Sequence, residues 1–160
     1  MAKKATHARE PTIENRRARH DYLITDTLEC GIRLTGSEVK SVRDGKVSLA
    51  EGYVRAVEQP VELSLHSVHI AEYPPAGKAA QHEPTRTRKL LAHTREIKKL
   101  ARQTQQKGLT LVPLKMYFSK GRAKLLIGLA QGKKQHDQRR SIAEKEAKRA
   151  IGRALSQRRG

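Results

Sequence analysis

The sequence predicts a mainly β fold with helices: a small closed antiparallel barrel with about three peripheral helices and a basic C-terminal tail. Three observations predict it. Runs in which apolar and polar residues alternate, the signature of half-buried strands, recur through the middle of the chain. Of the 33 Leu, Ile, Val and Phe residues, 29 lie between positions 22 and 131, so one core is confined there. The charge is distributed differently. The 34 Lys+Arg against 16 Asp+Glu give +18 over 160 residues, and residues 132–160 hold +7 of it with only Ile142, Ile151 and Leu155 as large apolar residues. Many short strands with few helices close most simply into a barrel.

The elements follow in order. Residues 1–12 carry almost no core signal and are expected to be flexible. Tyr22–Ile24 reads as a short strand, and in Leu28–Leu34 the residues Leu28, Cys30, Ile32 and Leu34 alternate with Glu29, Gly31 and Arg33. Thr35-Gly36-Ser37-Glu38 is a capping box, opening a helix with Val39 and Val42 inward and Gly45 as its stop. Tyr53–Val57 is a strand, and Val61, Leu63 and Leu65 mark another. The stretch from Tyr73-Pro74-Pro75 to Pro84 is a loop leading to a basic turn around Thr85–Leu91. A helix starts near Thr94, with Ile97, Leu100, Ala101 and Thr104 at helical spacing and Gly108 after it. In Thr110–Phe118 the residues Val112, Leu114, Met116 and Phe118 share one face, with Pro113 forcing a bulge or an edge. The turn Ser119-Lys120-Gly121 returns the chain through Ala123, Leu125, Ile127 and Leu129 as a hairpin.

Residues 1–131 thus form the body, and residues 132–160 form a tail too charged and too poor in apolar residues to order itself in isolation. Ser141-Ile142-Ala143-Glu144 is a second capping box, and Ala143, Ala147, Ala150, Ile151 and Ala154 give a thin apolar stripe. The tail is expected to become helical from Ser141 only against a partner.

Several functions are excluded by composition. No run approaches the ~20 apolar residues that span a bilayer, and MAKKATHARE has no apolar stretch of a secretory signal. One cysteine, Cys30, cannot form an internal disulfide, which fits a reducing cytosol and a cytoplasmic protein. Glu38-Val39-Lys40 with Asp26 has the letters of a metal-dependent nuclease, but on a helix Glu38 and Lys40 point about 200° apart. His66 and His69, three apart on an expected strand, face opposite ways. Without a Cys pair, an HExxH or a phosphate-cradling glycine loop, no metal, cofactor or small-molecule substrate is expected.

A polyanion partner is better supported. Basic residues cluster at Arg16-Arg17-Ala18-Arg19-His20, at Arg86-Thr87-Arg88-Lys89 and at Lys133-Lys134. Aromatics are only 3% of the chain, so recognition by shape and phosphates is expected, with a few stacking contacts.

Four segments carry a resemblance: Asn15-Arg16-Arg17-Ala18-Arg19-His20-Asp21-Tyr22, Gly36-Ser37-Glu38-Val39-Lys40-Ser41, Pro84-Thr85-Arg86-Thr87-Arg88-Lys89-Leu90-Leu91 and Gly132-Lys133-Lys134-Gln135-His136-Asp137. In these the chain resembles the small protein B family, the SsrA-binding partners of transfer-messenger RNA in bacterial trans-translation. The resemblance implies an oligonucleotide-binding-type barrel with three helices and no enzymatic activity. It implies that the body binds the tRNA-like domain of transfer-messenger RNA and delivers it to a stalled ribosome. The tail would enter the empty mRNA channel of the small subunit, by its rRNA and decoding centre, and fold there.

The family's RNA-facing positions map to Asn15, Glu29 and Leu91, with Arg16, Arg17, Arg19, His20, Tyr22, Arg86, Arg88 and Lys89 beside them. The tail positions are Gly132, Lys133, Lys134, His136, Asp137, Arg139, Arg140 and Ile151. One departure stands out: the family usually has Asp-Lys-Arg after the His, and this chain has Asp137-Gln138-Arg139-Arg140, which leaves Arg140 to supply the missing cation. Two rival readings remain at this stage, a basic structural protein of the ribosome and a nuclease.

Overall fold

The computed structural model describes residues 10–133 and 135–157, without the side chains of residues 135–138. The chain runs β1 (Ile13–Glu14), α1 (Arg16–Asp21), β2 (Tyr22–Ile32), α2 (Gly36–Arg43), β3 (Val47–Ser48), β4 (Tyr53–Glu58), β5 (Val61–His66), β6 (His69–Ile70), β7 (Arg88–Leu91), α3 (Thr94–Gln103), β8 (Leu109–Ser119), β9 (Arg122–Gly132) and α4 (Gln135–Gln157). The order β8-β4-β5-β7-β2-β9, with β9 pairing back to β8, closes a ring in which every pairing is antiparallel. β1 adds to the edge of β8, and β3 pairs only with β6. The mainly β fold with peripheral helices is as the sequence predicted.

The alternation of each strand fills the ring. Cys30, Leu63, Leu65, Leu90, Leu125 and Ile127 all point inward and are buried. Burial pushes the Cys30 thiol up to about 12, which makes it an inert core residue. α2 adds Val42 to one end of the core, while Val39 is only half-buried. α3 lays Ile97, Leu100 and Ala101 over β4 and β5 and is tied to β4 by Arg102 Nη2, which donates to Glu58 Oε1 at 2.6 Å. The β8–β9 turn is Lys120-Gly121, with φ of 51° and 74°, the doubly left-handed turn that suits the twist of a two-residue hairpin.

Four expectations are corrected. Tyr22–Ile24 and the strand from Leu28 are one strand, interrupted by a register shift between Ile24 and Asp26, and Leu34 lies beyond its end. His66 and His69 sit on different strands, because Ser67 turns the chain at φ 57°. Two 3-10 turns, Pro74–Ala76 and Lys78–Ala80, order part of the loop, where the Gln81 side chain brackets the Tyr73 backbone, and the basic turn expected around Thr85–Leu91 gives way at Arg88 to β7, which pairs with β5 and β2.

The fourth correction concerns β8. Its pairing with β9 shifts between Pro113 and Lys115, so Leu114 is an extra residue. Met116 stays in the main core with Phe118 packed against it, but Val112 and Leu114 face the other side of the sheet. There they join Ala18 and Ala130 in a second, smaller cluster. One strand therefore serves two apolar compartments.

α4 starts at Gln135, six residues before Ser141. No glycine or proline interrupts residues 135–151, so nothing stops the helix from extending past the capping box.

Candidate nucleic-acid interface

The small cluster fixes α1 across the outside of the β2-β9-β8 sheet. Asn15 caps the helix: its Oδ1 accepts from the Ala18 N–H at 3.0 Å, and its Nδ2 donates to Leu49 O at 3.1 Å and Pro113 O at 2.8 Å. Its own N–H donates to Leu114 O at 2.8 Å. Ala18 is buried against the sheet, and Gly128 keeps the sheet thin beneath, since a Cβ there would lie 2.8 Å from Leu114 Cδ1. The cations of α1 are therefore turned outward.

They are not equivalent. Arg17 contacts Glu51 and lies 3.4 Å from Asp21 Oδ2, and the Glu51 charge raises its pKa. His20 Nδ1 is 2.8 Å from Asp21 Oδ1, and that hydrogen bond, with Arg17, holds the Asp21 carboxyl below its usual range. Arg16 and Arg19 are exposed and make no ion pair among the described residues.

Beyond α1 the same sheet face is open. Glu29 projects from β2, and Tyr117 of β8 donates its hydroxyl to the Glu29 carboxylate. Burial and then this bond push the Tyr117 phenol up to about 12, so it remains a donor. Lys115 Nζ sits 5.2 Å from the centre of the Tyr117 ring. Leu91, 53% exposed, stands beside Gly31, its register partner on β2. A Cβ at Gly31 would approach Leu91 Cβ to 3.3 Å, so the glycine leaves Leu91 its room. Leu90 carries the core role and Leu91 the surface one. Leu91, Gly31, Arg122 and Lys124 line a cleft of about 430 Å³. Arg16, Arg19, Tyr22, Glu29 and Leu91 thus belong to one outer face, partly roofed by α1, with Lys89 exposed on the same strand as Leu91.

Two residues expected on that face are elsewhere. Arg88 is fully buried, because it shares the inward parity of Leu90 on β7. Its Nε donates to Glu38 Oε1 at 2.7 Å, its Nη1 to Val68 O at 2.7 Å and its Nη2 to Pro84 O at 2.9 Å. It cannot reach a phosphate. Asn15 is only 4% exposed, and its amide is engaged internally in holding α1. Arg86 is half-exposed and bridges outward, with Nη2 2.7 Å from Glu38 Oε2. Glu38, also fully buried, accepts in addition from the Thr35 N–H at 2.8 Å. Burial alone would raise its pKa, yet Arg86, Thr35 and Arg88 together take it down to about 2. A carboxylate so committed does not pair with Lys40, and the nuclease constellation does not form.

Sequence reasoning missed Tyr117, Lys115 and Lys124 as site residues: the alternation already turns them outward, but they stand singly and their neighbours on the face come from β2 and β7. It also missed the cations Arg95, Lys98, Lys99 and Arg102 of α3, which are spaced along a helix and form no run. The inward Arg88 was discoverable, since it stands two positions before an inward Leu.

The tail leaves the body beside α1. The Lys133 N–H donates to Asp21 O at 3.0 Å and its Nζ to Arg19 O at 3.3 Å. Gly132, at the end of β9, has open space around it. On α4, Arg139 and Arg140 are exposed, and Arg140 Nε lies 3.9 Å from Glu144 Oε1. Ile151 is 60% exposed, with Ile142 and Leu155 exposed along the same helix. Lys134 and the side chains of His136 and Asp137 lie outside the described residues. Among the described residues no three potential ligands converge on a metal position, and no helix is long and apolar enough to cross a membrane.

Comparison with known proteins finds close relatives of the chain. The SsrA-binding protein of Roseiflexus castenholzii is 55% identical over 145 residues, 91% of this chain and 90% of that relative. That of Chloroflexus aggregans is 49% identical over 158 residues, 99% and 98% of the two chains. A solved structure described as "tmRNA-SmpB: a journey to the center of the bacterial ribosome" contains a chain 52% identical to this one. The two superpose with a TM-score of 0.65 over 78% of this chain and 86% of that one. With the SmpB protein family matching residues 12–157, the chain belongs to that family.

Proposed function

We propose that this chain is a non-enzymatic RNA-binding adaptor of trans-translation, acting in the cytoplasm. Its body binds the tRNA-like domain of transfer-messenger RNA and delivers it to a stalled ribosome. Its tail, from Gly132 onward, enters the empty mRNA channel near the decoding centre and becomes stably helical there. The observation that carries this reading is the sheet face on which Glu29, Tyr117 and Leu91 lie beside the exposed Arg16 and Arg19, in a chain half identical to SsrA-binding proteins.

The face mixes a few specific contacts with cations, as recognition of a folded RNA requires. Glu29 accepts, Tyr117 donates, Leu91 packs against a sugar or base, and Arg16, Arg19, Lys89, Lys115 and Lys124 meet phosphates. The large apolar residues of α4, Ile142, Ile151 and Leu155, are all exposed, which is the pattern of a helix that waits for a partner.

Recovery of the tagged chain from cells followed by sequencing of the bound RNA tests the reading. Transfer-messenger RNA should dominate, substoichiometric to ribosomes. Recovery of stoichiometric rRNA without it would instead mark a structural ribosomal protein.

A further inference from the structure

We infer that the cleft between α1 and the start of β4 receives one unpaired nucleotide of the partner RNA, whose base stacks on Tyr53. The inference rests on the RNA-binding reading above and adds to it a base pocket that neither Glu29 nor Leu91 lines.

Tyr53 is 47% exposed, and its ring is stacked on His66, 5.0 Å between centroids at 8°. His66 is itself held: Ser64 Oγ lies 2.9 Å from its Nε2 and Thr87 Oγ1 lies 3.4 Å from its Nδ1. The ring is thus immobilised before any ligand arrives, which lowers the entropic cost of binding. Tyr53 also lines a cleft of about 230 Å³ from which His66 is absent, with Tyr22 on another wall and Ala18 and Val112 at its apolar floor. At ~30 Å³ per water, that space equals only a handful of waters, suited to one planar heterocycle and closed to a duplex.

The rim supplies what a base edge needs. Asp21 and Glu51 offer acceptors, and Arg17, held between them, offers donors. Arg16 and Arg19 extend from the same helix without ion-pair partners among the described residues, and Arg55, exposed two residues after Tyr53, shares its strand face. These cations suit the phosphates on either side of the nucleotide. An aromatic platform, a hydrogen-bonding rim and flanking cations are how proteins hold a splayed base.

The test uses the full chain with transfer-messenger RNA at fixed salt, combining affinity with nucleotide-resolution chemical probing. Tyr53→Leu should weaken binding about 5- to 150-fold, the range for losing one base–aromatic stack. Tyr53→Phe should stay within about twofold, as an aromatic ring is all the stack requires. Ala50→Trp, on an exposed turn at the cleft, should fill it and weaken binding similarly while thermal unfolding stays as in the parent. In both weakened complexes one unpaired nucleotide should regain reactivity. Parental affinity in Tyr53→Leu and Ala50→Trp, or a loss spread over paired regions, overturns the inference. If Glu29→Arg loses binding while the cleft variants do not, RNA recognition stands and the cleft falls. If the parent chain does not bind this RNA, both fall.

Discussion

Arg88 Nε lies 2.7 Å from Glu38 Oε1, and neither side chain reaches solvent. The pair joins α2 to the inside of the barrel wall, where the other inward positions of β7 and β5 hold Leu90, Val61, Leu63 and Leu65. Two carbonyls, Val68 O and Pro84 O, take further Arg88 donors, so the charge is enclosed and satisfied.

Removing one partner should therefore cost far more than removing both. Glu38→Gln keeps the volume and strands a buried guanidinium, and destabilisation of ~3–5 kcal/mol is expected. A Glu38→Gln, Arg88→Met double variant should lose clearly less than the sum of the single changes. Denaturant titrations of the four proteins measure this, and simple additivity would dissolve the pair as an energetic unit.

The same pair sets an acid limit. The Glu38 carboxyl is depressed from 4.5 to about 2. Its contribution to stability is complete above the unfolded value and is lost as pH falls through the folded one. Unfolding free energy should decline between roughly pH 4.5 and 2, and that share of the decline should vanish in Glu38→Gln. Equal slopes in the two proteins would contradict it.

Glu29→Arg adds two positive charges to a basic surface. A purely electrostatic binder would gain affinity. Because Glu29 instead accepts from Tyr117 and presents an oriented carboxylate, binding of transfer-messenger RNA should weaken by ~1–3 kcal/mol. Tighter binding in a gel-shift series would show that charge alone governs this face.

Asn15→Ala separates positioning from contact. The variant loses a helix cap and two further hydrogen bonds, so stability should drop by ~1–2 kcal/mol. The dependence of RNA affinity on salt should keep the parental slope, since no cation is removed. An unchanged melting temperature with reduced affinity would instead mean that Asn15 touches RNA.

Ile151→Pro tests the tail without altering a charge. Proline there costs ~3 kcal/mol of helix. Circular dichroism of the chain alone should change little, because an isolated helix with no buried face is marginal. Binding to transfer-messenger RNA should be nearly unchanged, and peptide tagging on stalled ribosomes should fall sharply. Full tagging activity would reduce the tail to a flexible polycation.

Much of this was legible because local rules and tertiary packing agree. The alternation through Cys30 and Ile32, the capping box at Thr35–Glu38 and the stripe Ile97–Leu100–Ala101 each survive into the fold unchanged. The errors arise where a side chain's direction is set at a distance. Arg88 stands in a basic run, yet strand parity turns it inward toward a carboxylate fifty residues away. Val112 and Leu114 read as core partners of Met116 by strict alternation, but the bulge at Leu114 breaks that alternation and both lie on the face opposite Met116. Glu38 was visible as a cap but not as an acceptor for two arginines, since those bonds come from a distant strand and loop.

The extra residue in β8 has a wider consequence. Without Leu114, Pro113 and Lys115 would join with every other side chain still on its present face, so the hairpin itself has no use for the insertion. Both carbonyls at that point, Pro113 O and Leu114 O, are taken by Asn15, and the Leu114 side chain lies under Ala18. The first helix and a single inserted residue a hundred positions later are therefore one heritable unit. A lineage that lost the insertion would leave the helix without a seat, and selection on either would show up in both.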